Sequence, residues 1–195
     1  MLADLSTIKD RYDVVLMDPP WEYSGSTSKW GACAKHYATM TMGELKSMDL
    51  QSILNKPAVV FMWATGPKLH NALDLGCALG LHYRGIAFVW VKTKKDGTPI
   101  GAQGVRPSIV KQLTEVCLAF STVENGRPMP LGSEAVCQTV FAPKAEHSAK
   151  PVEVRARIEM LYPDAKKIEL FSRERVNGWD CWGLEAPALP VDGDE

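Results

Sequence analysis

Residues 12–21 read YDVVLMDPPW, and this stretch decides how the rest of the chain is interpreted. Tyr12 to Met17 form a short, largely apolar run, which is typical of a fully buried strand. Two prolines cannot continue a hydrogen-bonded ladder, and a residue that precedes proline is held extended. We therefore predict that the strand ends at Met17 and that a stiff loop holds the Asp18 carboxylate at its tip.

The composition is that of an ordinary globular protein. Of 195 residues, 46% are hydrophobic and 23% are charged, and the formal net charge is −1. These values argue against a disordered chain and a histone-like basic binder, but they allow a nucleic-acid enzyme with a local basic rim. The length favours one domain, which we place at residues 1–186, followed by a flexible tail at 187–195.

The sequence gives no sign of a membrane protein or of a metal site. No apolar run reaches transmembrane length and the N-terminus lacks a signal-peptide pattern, so we expect no membrane contact and a cytoplasmic location. The five cysteines are dispersed and include no CxxC. We expect buried, reduced thiols rather than a disulfide framework or metal ligands. They are Cys33, Cys77, Cys117, Cys137 and Cys181.

Strand and helix signals alternate along the chain, which predicts an α/β fold with a largely parallel sheet and helices on both faces. The predicted strands are 12–17, 57–63, 83–91, 114–120, 135–141 and 168–171. The predicted helices are 42–54, opened by a capping box at Thr41–Glu44; 66 to about 80, with the stripe Leu69, Leu73 and Cys77; and 150–161, with the stripe Val154, Ile158 and Leu161. Ligands of such folds bind beyond the carboxyl ends of the strands. Asp18 and the segment after Leu170 lie at two such ends.

The segment from Asp18 to Trp21 is a candidate binding site for an amino group. The Asp18 carboxylate and the Pro19 carbonyl would be two acceptors on one rigid turn, which suits the two N–H donors of an exocyclic amine. Trp21 adds a flat face that suits a base swung out of its stack. The alternative is a structural strand end with a capping Asp18 and a core Trp21.

DPPW and six further blocks resemble the family of the eukaryotic mRNA adenosine-N6 methyltransferase catalytic subunit and its bacterial and phage relatives. The blocks occur in the family's order and are KHYATM 35–40, FMWAT 61–65, WVKT 90–93, EVCL 115–118, HSAKP 147–151 and KIELFSR 167–173. This resemblance implies a Rossmann-like fold that uses S-adenosylmethionine, with a permuted motif order in which the DPPW strand is early and the cofactor strand is late. The lack of a G-x-G-x-x-G after the first strand agrees with that order.

The resemblance also implies roles for individual residues. It implies a catalytic corner of Asp18, Pro19, Pro20 and Trp21, in which Asp18 and the Pro19 carbonyl accept both N6 hydrogens of adenine. It implies cofactor contacts from Asp18, Lys150, Glu169, Phe171, Arg173, Arg175, Leu184 and Glu185. Lys150 would meet the methionine carboxylate, Phe171 would pack near the adenosine, and both arginines would reach the ribose. Glu169 is either a strand residue or a pocket residue.

Four further residues are candidates for substrate binding. Tyr37 and Trp30 would contact the flipped base, with loop packing as the alternative for each. Lys92 and Arg106 belong to the basic segment 92–106 and would contact phosphates, with a solvated loop as the alternative.

The cofactor end departs from the family's pattern. Gly183-Leu184-Glu185 stands where the family often has Gly-Asn-Glu, and Leu184 cannot donate the hydrogen bond of that asparagine. Glu185 is a candidate replacement. Residues upstream of the first strand, which normally help to form the adenine pocket, are nearly absent.

The function favoured by these residues is adenine-N6 methylation of nucleic acid. DNA is favoured because the compact chain resembles bacterial and phage members. RNA stays open, as does a homodimer or heterodimer. A catalytically silent, nucleic-acid-binding partner subunit is the alternative that Leu184 allows and that the intact DPPW and Lys150 argue against. A methyltransferase for proteins or small molecules would not need twin acceptors aimed at an amino group.

Overall fold

The computed structural model describes residues 4–22, 38–101, 109–144 and 149–186. Within these ranges the strands are β1 Tyr12–Met17, β2 Leu54–Thr65, β3 His82–Thr93, β4 Thr114–Ser121, β5 Thr139–Pro143, β6 Lys167–Leu170 and β7 Asp180–Trp182. The helices are α1 Met42–Lys46, α2 Leu69–Ala78 and α3 Val152–Leu161, and two 3-10 turns span Leu50–Ile53 and Gly66–Lys68. The predicted tail at 187–195 lies outside the described residues.

The strands form one seven-stranded sheet in the order β5-β3-β4-β2-β1-β6-β7. β4 runs antiparallel to its neighbours β2 and β3, while the other neighbouring pairs are parallel. The predicted, largely parallel sheet is thereby confirmed, with one reversed strand that the sequence did not indicate. The reversal brings the first residues of β4 to the edge where β1, β2 and β3 end, and Glu115 pairs there with Thr65 and Trp90.

The sheet is covered on both faces, as predicted. Side chains alternate across a strand, so Val15 and Met17 of β1 pack in the cluster that holds the buried residues of α1 and α2. Val14 and Leu16 pack in the other cluster, with Val154 and Ile158 of α3. β1 is thus buried on both faces, which accounts for its nearly continuous apolar sequence.

The first predicted helix is much shorter than expected. Its capping box is present, since the Thr41 Oγ1 atom accepts from the Glu44 N–H at 3.2 Å and the Glu44 carboxylate accepts from the Thr41 N–H at 2.7 Å. The helix nevertheless ends at Lys46. The Ser47 hydroxyl bonds to the Glu44 carbonyl oxygen at 2.7 Å, and such local bonds compete with helix continuation. A 3-10 turn follows, and β2 begins at Leu54.

The buried stripe of α2 is rotated from the predicted one. Ala72, Leu75 and Gly76 are buried, whereas Leu69 and Leu73 are only partly buried and Cys77 is exposed. A Cβ atom on Gly76 would lie 2.2 Å from the Phe120 ring, so the helix lies very close to the sheet. Small residues permit this approach, and apolar spacing alone therefore placed the buried stripe to one side of its true position.

Other element predictions changed less. The strand expected at 135–141 is found at Thr139–Pro143 on the sheet edge, where Arg157 of α3 donates to the carbonyl oxygens of Cys137 and Thr139. Cys117 is buried, but Cys77 and Cys137 are exposed, so the prediction of buried thiols is wrong for these two. Cys33 lies outside the described residues. No helix in the described ranges is long and apolar enough to cross a membrane.

Candidate active site

The Asp18 carboxylate lies directly after β1, at the carboxyl edge of the sheet, where a cavity of about 560 Å³ opens. Asp18, Pro19, Pro20 and Trp21 all line this cavity. Glu115 and Lys150 reach it from the start of β4 and from just before α3. The sheet topology therefore brings together three segments that are far apart in the sequence.

The DPPW turn is held by its own backbone. The Pro19 carbonyl oxygen accepts from the Trp21 N–H at 2.8 Å, and the Pro20 carbonyl oxygen accepts from the Met40 N–H at 2.9 Å. A carbonyl oxygen has two lone pairs, so Pro19 can accept a second donor from a ligand. Trp21 is 7% exposed and its indole N–H donates to the Trp63 carbonyl oxygen at 3.4 Å. Trp21 is thus a core residue with one surface on the cavity, and contact with a base stays a prediction.

Four charged side chains alternate in sign along the cavity wall. The Lys150 Nζ atom lies 2.6 Å from Asp18 Oδ2 and 3.4 Å from Glu115 Oε2. The Lys92 Nζ atom lies 2.6 Å from Glu115 Oε1. Two tryptophans support the lysines, since Lys150 lies 5.7 Å from the Trp63 ring centroid and Lys92 lies 5.0 Å from that of Trp90.

These contacts shift the acidity of the groups involved. Burial would raise the pKa of Glu115, but the ammonium groups of Lys150 and Lys92 outweigh it and lower the pKa. Burial would lower the pKa of Lys150, but Asp18 and Glu115 outweigh it and raise the pKa. Glu115 and Lys150 are therefore held charged at neutral pH.

The far end of the cavity is formed by the segments after β6 and β7. Phe171, which has a φ of 60°, packs edge-on against Trp182 with the ring centroids 5.6 Å apart. The Ser172 N–H donates to the Trp182 carbonyl oxygen at 3.1 Å and ties the two segments together. Further lining residues of this end are Arg173, Gly183, Leu184 and Glu185. The result is a cleft with aromatic and charged walls.

A stretch before β1 also reaches the cavity. Leu5 is buried and Ile8 packs against the same core, while Asp4 and Thr7 line the cavity. This short upstream segment therefore supplies two polar side chains to the cavity, while the expectation of a nearly absent adenine pocket stays a prediction.

The architecture and the site agree with one protein family, whose MT-A70 model matches residues 12–185. The chain belongs to the MT-A70 family. This confirms the resemblance found in the sequence and, with it, the predicted class of enzyme, a methyltransferase.

Curated relatives of this MT-A70 chain fall into two groups by length. It is 33% identical over 209 residues to the Type II methyltransferase M.MunI from Mycoplasma sp, with 95% of this chain and 84% of that protein covered. It is 28% identical over 170 residues to the human N(6)-adenosine-methyltransferase catalytic subunit METTL3, with 86% and 26% covered. It is 22% identical to the mouse N(6)-adenine-specific methyltransferase METTL4, of which it spans 41%. The chain thus spans most of M.MunI but only part of the two mammalian proteins.

Most of the cofactor residues predicted for the MT-A70 chain meet at one place. Asp18, Lys150, Phe171, Arg173, Leu184 and Glu185 all line the cavity. Leu184 is 71% exposed there, and Arg173 Nε lies 3.7 Å from Glu185 Oε2. Their contacts with a cofactor stay predictions, but their grouping on one wall agrees with the interpretation of the motifs.

Two predicted cofactor residues lie elsewhere. Glu169 pairs with Leu16 of β1, whose side chain belongs to the cluster on the α3 side, and its carboxylate lies 3.1 Å from Arg155 Nε of α3. Arg175 is exposed on the loop after β6. Among the described residues, the cavity wall includes neither of them. Strand alternation explains Glu169, because Ile168 and Leu170 take the opposite face.

The predicted substrate residues are only partly described. Tyr37, Trp30 and Arg106 lie outside the described residues. Lys92 lines the cavity, but its ammonium group is paired with Glu115 rather than presented on a solvated loop. Within the described part of the chain, no group of three or more His, Cys, Asp or Glu side chains could hold a metal ion.

Glu115 is the main site residue that the sequence analysis missed. It was noted only as part of the EVCL block, with no role. A signal was available, since one carboxylate begins the otherwise apolar run TEVCLAF. Its approach to Asp18 depends on the antiparallel direction of β4, which no local pattern reveals.

Proposed function

We propose that this MT-A70 protein transfers a methyl group from S-adenosylmethionine to the N6 amino group of adenine in nucleic acid, and that DNA is its substrate. The observation that carries the proposal is the corner at the end of β1. There Asp18 and Pro19, adjacent residues of a turn held by its own backbone hydrogen bonds, line the same cavity as Phe171 and Trp182. Twin acceptors beside an aromatic cleft suit an exocyclic amine and a nucleoside cofactor.

The residues present fit S-adenosylmethionine. A volume of about 560 Å³ lies within the usual range for small-molecule and cofactor sites. Phe171 and Trp182 offer aromatic faces for an adenine ring, and Asp4 and Glu185 offer carboxylates of the kind that hold ribose hydroxyls. Lys150 offers a cation for the methionine carboxylate. When bound, the cofactor would supply an electrophilic methyl group on its sulfonium.

The chain's own contribution is orientation and charge. The N6 lone pair of adenine is delocalised into the ring, which makes the amine a poor nucleophile. Hydrogen bonds from both N6 hydrogens to Asp18 and to the Pro19 carbonyl would localise that lone pair and aim it. The methyl group would gain its bond to N6 as it loses its bond to sulfur, and the Asp18 carboxylate would accept the N6 proton that is released. Fixed geometry supplies most of the acceleration in such a site.

The choice of DNA rests on the similarity to the Type II methyltransferase M.MunI, which is 33% identical over 95% of this chain, against 28% over 86% for human METTL3. The chain spans 84% of the Type II methyltransferase M.MunI but 26% of human METTL3. RNA is the second candidate, because the similarity to the N(6)-adenosine-methyltransferase METTL3 extends over 86% of this chain. A silent partner subunit is the third, favoured by the exposed Leu184 at the cofactor end.

The test is transfer of a labelled methyl group to separate DNA and RNA pools, followed by digestion and nucleoside analysis. We expect labelled N6-methyldeoxyadenosine from DNA, and none from the Asp18→Asn variant. Labelled N6-methyladenosine from RNA alone would replace the DNA proposal with the RNA one. Calorimetric binding of S-adenosylhomocysteine without any transfer would favour the silent subunit, and label in another nucleoside would overturn the proposed chemistry.

A further inference from the structure

Lys92 is a cation that already has an anionic partner. Its ammonium group lies 2.6 Å from Glu115 Oε1, and the two side chains are only 19% and 12% exposed. It also lies 5.0 Å from the Trp90 ring centroid. A lysine held in this way, one residue before the end of β3, is poorly placed to follow a mobile phosphate.

Glu115 connects Lys92 to the catalytic corner. One of its oxygens faces Lys92, and the other lies 3.4 Å from Lys150 Nζ, which itself lies 2.6 Å from Asp18 Oδ2. Two carboxylates and two ammonium groups thus balance in charge along one wall. Lys150 lies between the carboxylates of Asp18 and Glu115, and both attract it. Lys92 weakens the attraction from Glu115, because its ammonium group neutralises part of that carboxylate's charge.

We propose that Lys92 is a positioning residue which acts through Glu115 to keep Lys150 on Asp18, and that it is not a phosphate contact. This inference rests on the proposed function, since the corner that it positions is the one assigned to methyl transfer. Lys92 touches none of the reacting atoms in this role.

The physical reason is competition for one ammonium group. Without Lys92, Lys150 is the one remaining cation of this network beside Glu115, so the Glu115 carboxylate attracts it more strongly. The effect is large enough to matter because charges in a poorly solvated wall interact over several ångströms. Lys150 then moves toward Glu115 and away from Asp18. In active sites a displacement of about 1 Å can lower the rate on the order of a hundredfold.

Steady-state kinetics separate the two roles of Lys92. For Lys92→Met we expect kcat to fall about ten- to a hundredfold while KM for DNA changes less than about threefold. The salt dependence of DNA binding should stay the same, and Lys92→Arg should recover most of the rate. Lys94→Met, on the exposed loop two residues later, is the matched control and should keep kcat. A raised KM, an unchanged kcat and a shallower salt slope would instead establish a phosphate contact.

A double-mutant cycle tests the route through Glu115. If Lys92 acts through that carboxylate, Lys92→Met should lower kcat by less than about threefold when Glu115→Gln is already present. If the two losses multiply, Lys92 acts independently of Glu115 and the proposal is overturned.

Thermal unfolding across pH tests the network without any substrate. Two cations face Glu115, namely Lys92 of β3 and Lys150 just before α3. Asp18 lies on the other side of Lys150, and the buried Cys117 thiol lies two residues further along β4. In the wild type the folded-state pKa of Glu115 is lowered from its ordinary value of 4.5, although burial opposes this. Glu115 therefore adds stability above pH 4.5 that is lost as the pH falls through its folded-state pKa.

Replacing Lys92 by methionine removes part of the stability that the ionised Glu115 carboxylate adds. The Tm difference between wild type and Lys92→Met should be largest near pH 7 and should narrow below pH 4.5. A difference that does not vary with pH would overturn the network. If the difference narrows as expected but the wild type transfers no methyl group, the proposed function fails while the pairing of Lys92 with Glu115 stands.

Discussion

The Nζ atom of Lys150 lies 2.6 Å from the Oδ2 atom of Asp18 and so joins the segment just before α3 to the end of β1. The two residues are 132 positions apart in the sequence. Because an ionised carboxylate has several acceptor sites, Asp18 can keep this partner and still accept an N–H from a substrate. The ion pair therefore orients the Asp18 carboxylate and leaves it able to accept a further hydrogen bond.

Replacing Asp18 by asparagine should remove activity and leave the fold intact. Asp18→Asn keeps the shape of the side chain but loses the charge that faces Lys150 and the amino group. We expect methyl transfer to fall on the order of a thousandfold, as when a preorganised electrostatic contact is lost. Labelled methyl transfer measures this, with circular dichroism as the check on folding. Asp49→Asn, at an exposed carboxylate before the 3-10 turn, is the control, and a rate within about threefold of wild type for Asp18→Asn would contradict the mechanism.

Glu169→Gln should not change cofactor affinity. The Glu169 carboxylate lies on the α3 side of β6, 3.1 Å from Arg155 Nε, whereas the cavity is lined by Phe171 and Arg173 further along the chain. Calorimetry with S-adenosylhomocysteine should give a Kd within about twofold of wild type, while Arg173→Met should weaken binding. A tenfold weaker Kd for Glu169→Gln would restore the role that the family motif implied.

Comparison of wild type with Glu169→Gln should also show that the pKa of Glu169 is raised in the folded state. Burial raises the pKa of this carboxyl above its ordinary value of 4.5, although Arg155 opposes the shift. The folded state then holds the proton more tightly than the unfolded state, so wild-type stability falls as pH rises from 4.5 through the folded-state pKa. The Tm of wild type minus that of Glu169→Gln should therefore decrease across this interval. An increase would mean that Arg155 dominates over burial.

Leu184→Asn should tighten cofactor binding. Leu184 lines the cavity but is 71% exposed, so its replacement costs little packing. A new hydrogen bond contributes about 0.5–1.5 kcal/mol, which corresponds to a roughly two- to tenfold lower Kd for S-adenosylhomocysteine. Leu184→Ala removes the same apolar surface without adding a donor and should give no gain. Equal affinities for the alanine and asparagine variants would show that no cofactor atom lies within reach of this position.

The parts of the molecule that sequence predicted well are those with a local signal. The end of β1 at Met17, the capping box at Thr41 and the burial of Val154 and Ile158 follow from turn chemistry and periodicity. The family motifs placed Lys150 and Phe171 on the same cavity as Asp18. Local rules and family motifs thus identified residues that meet at one cavity, and the catalytic and cofactor-binding roles of these residues stay predictions.

The parts that sequence missed depend on contacts between distant segments. The pairing of Lys92 with Glu115 follows from the direction of β4, and strand direction is decided by the whole sheet. The face of Glu169 follows from which side of β6 meets α3, since alternation gives two faces but not their neighbours. The rotation of α2 follows from the close approach at Gly76. In each case the local propensity was read correctly, and the missing information was which distant segment the residue packs against or pairs with.

The reversed direction of β4 also decides where the connection between β3 and β4 begins and ends. The chain leaves the sheet at Thr93 and returns at Thr114, and both points lie on the edge that carries Asp18. A longer connection between them would leave the order of the seven strands unchanged. The strand order thus leaves the length of this connection open to change while Lys92 and Glu115 stay paired beside its two ends.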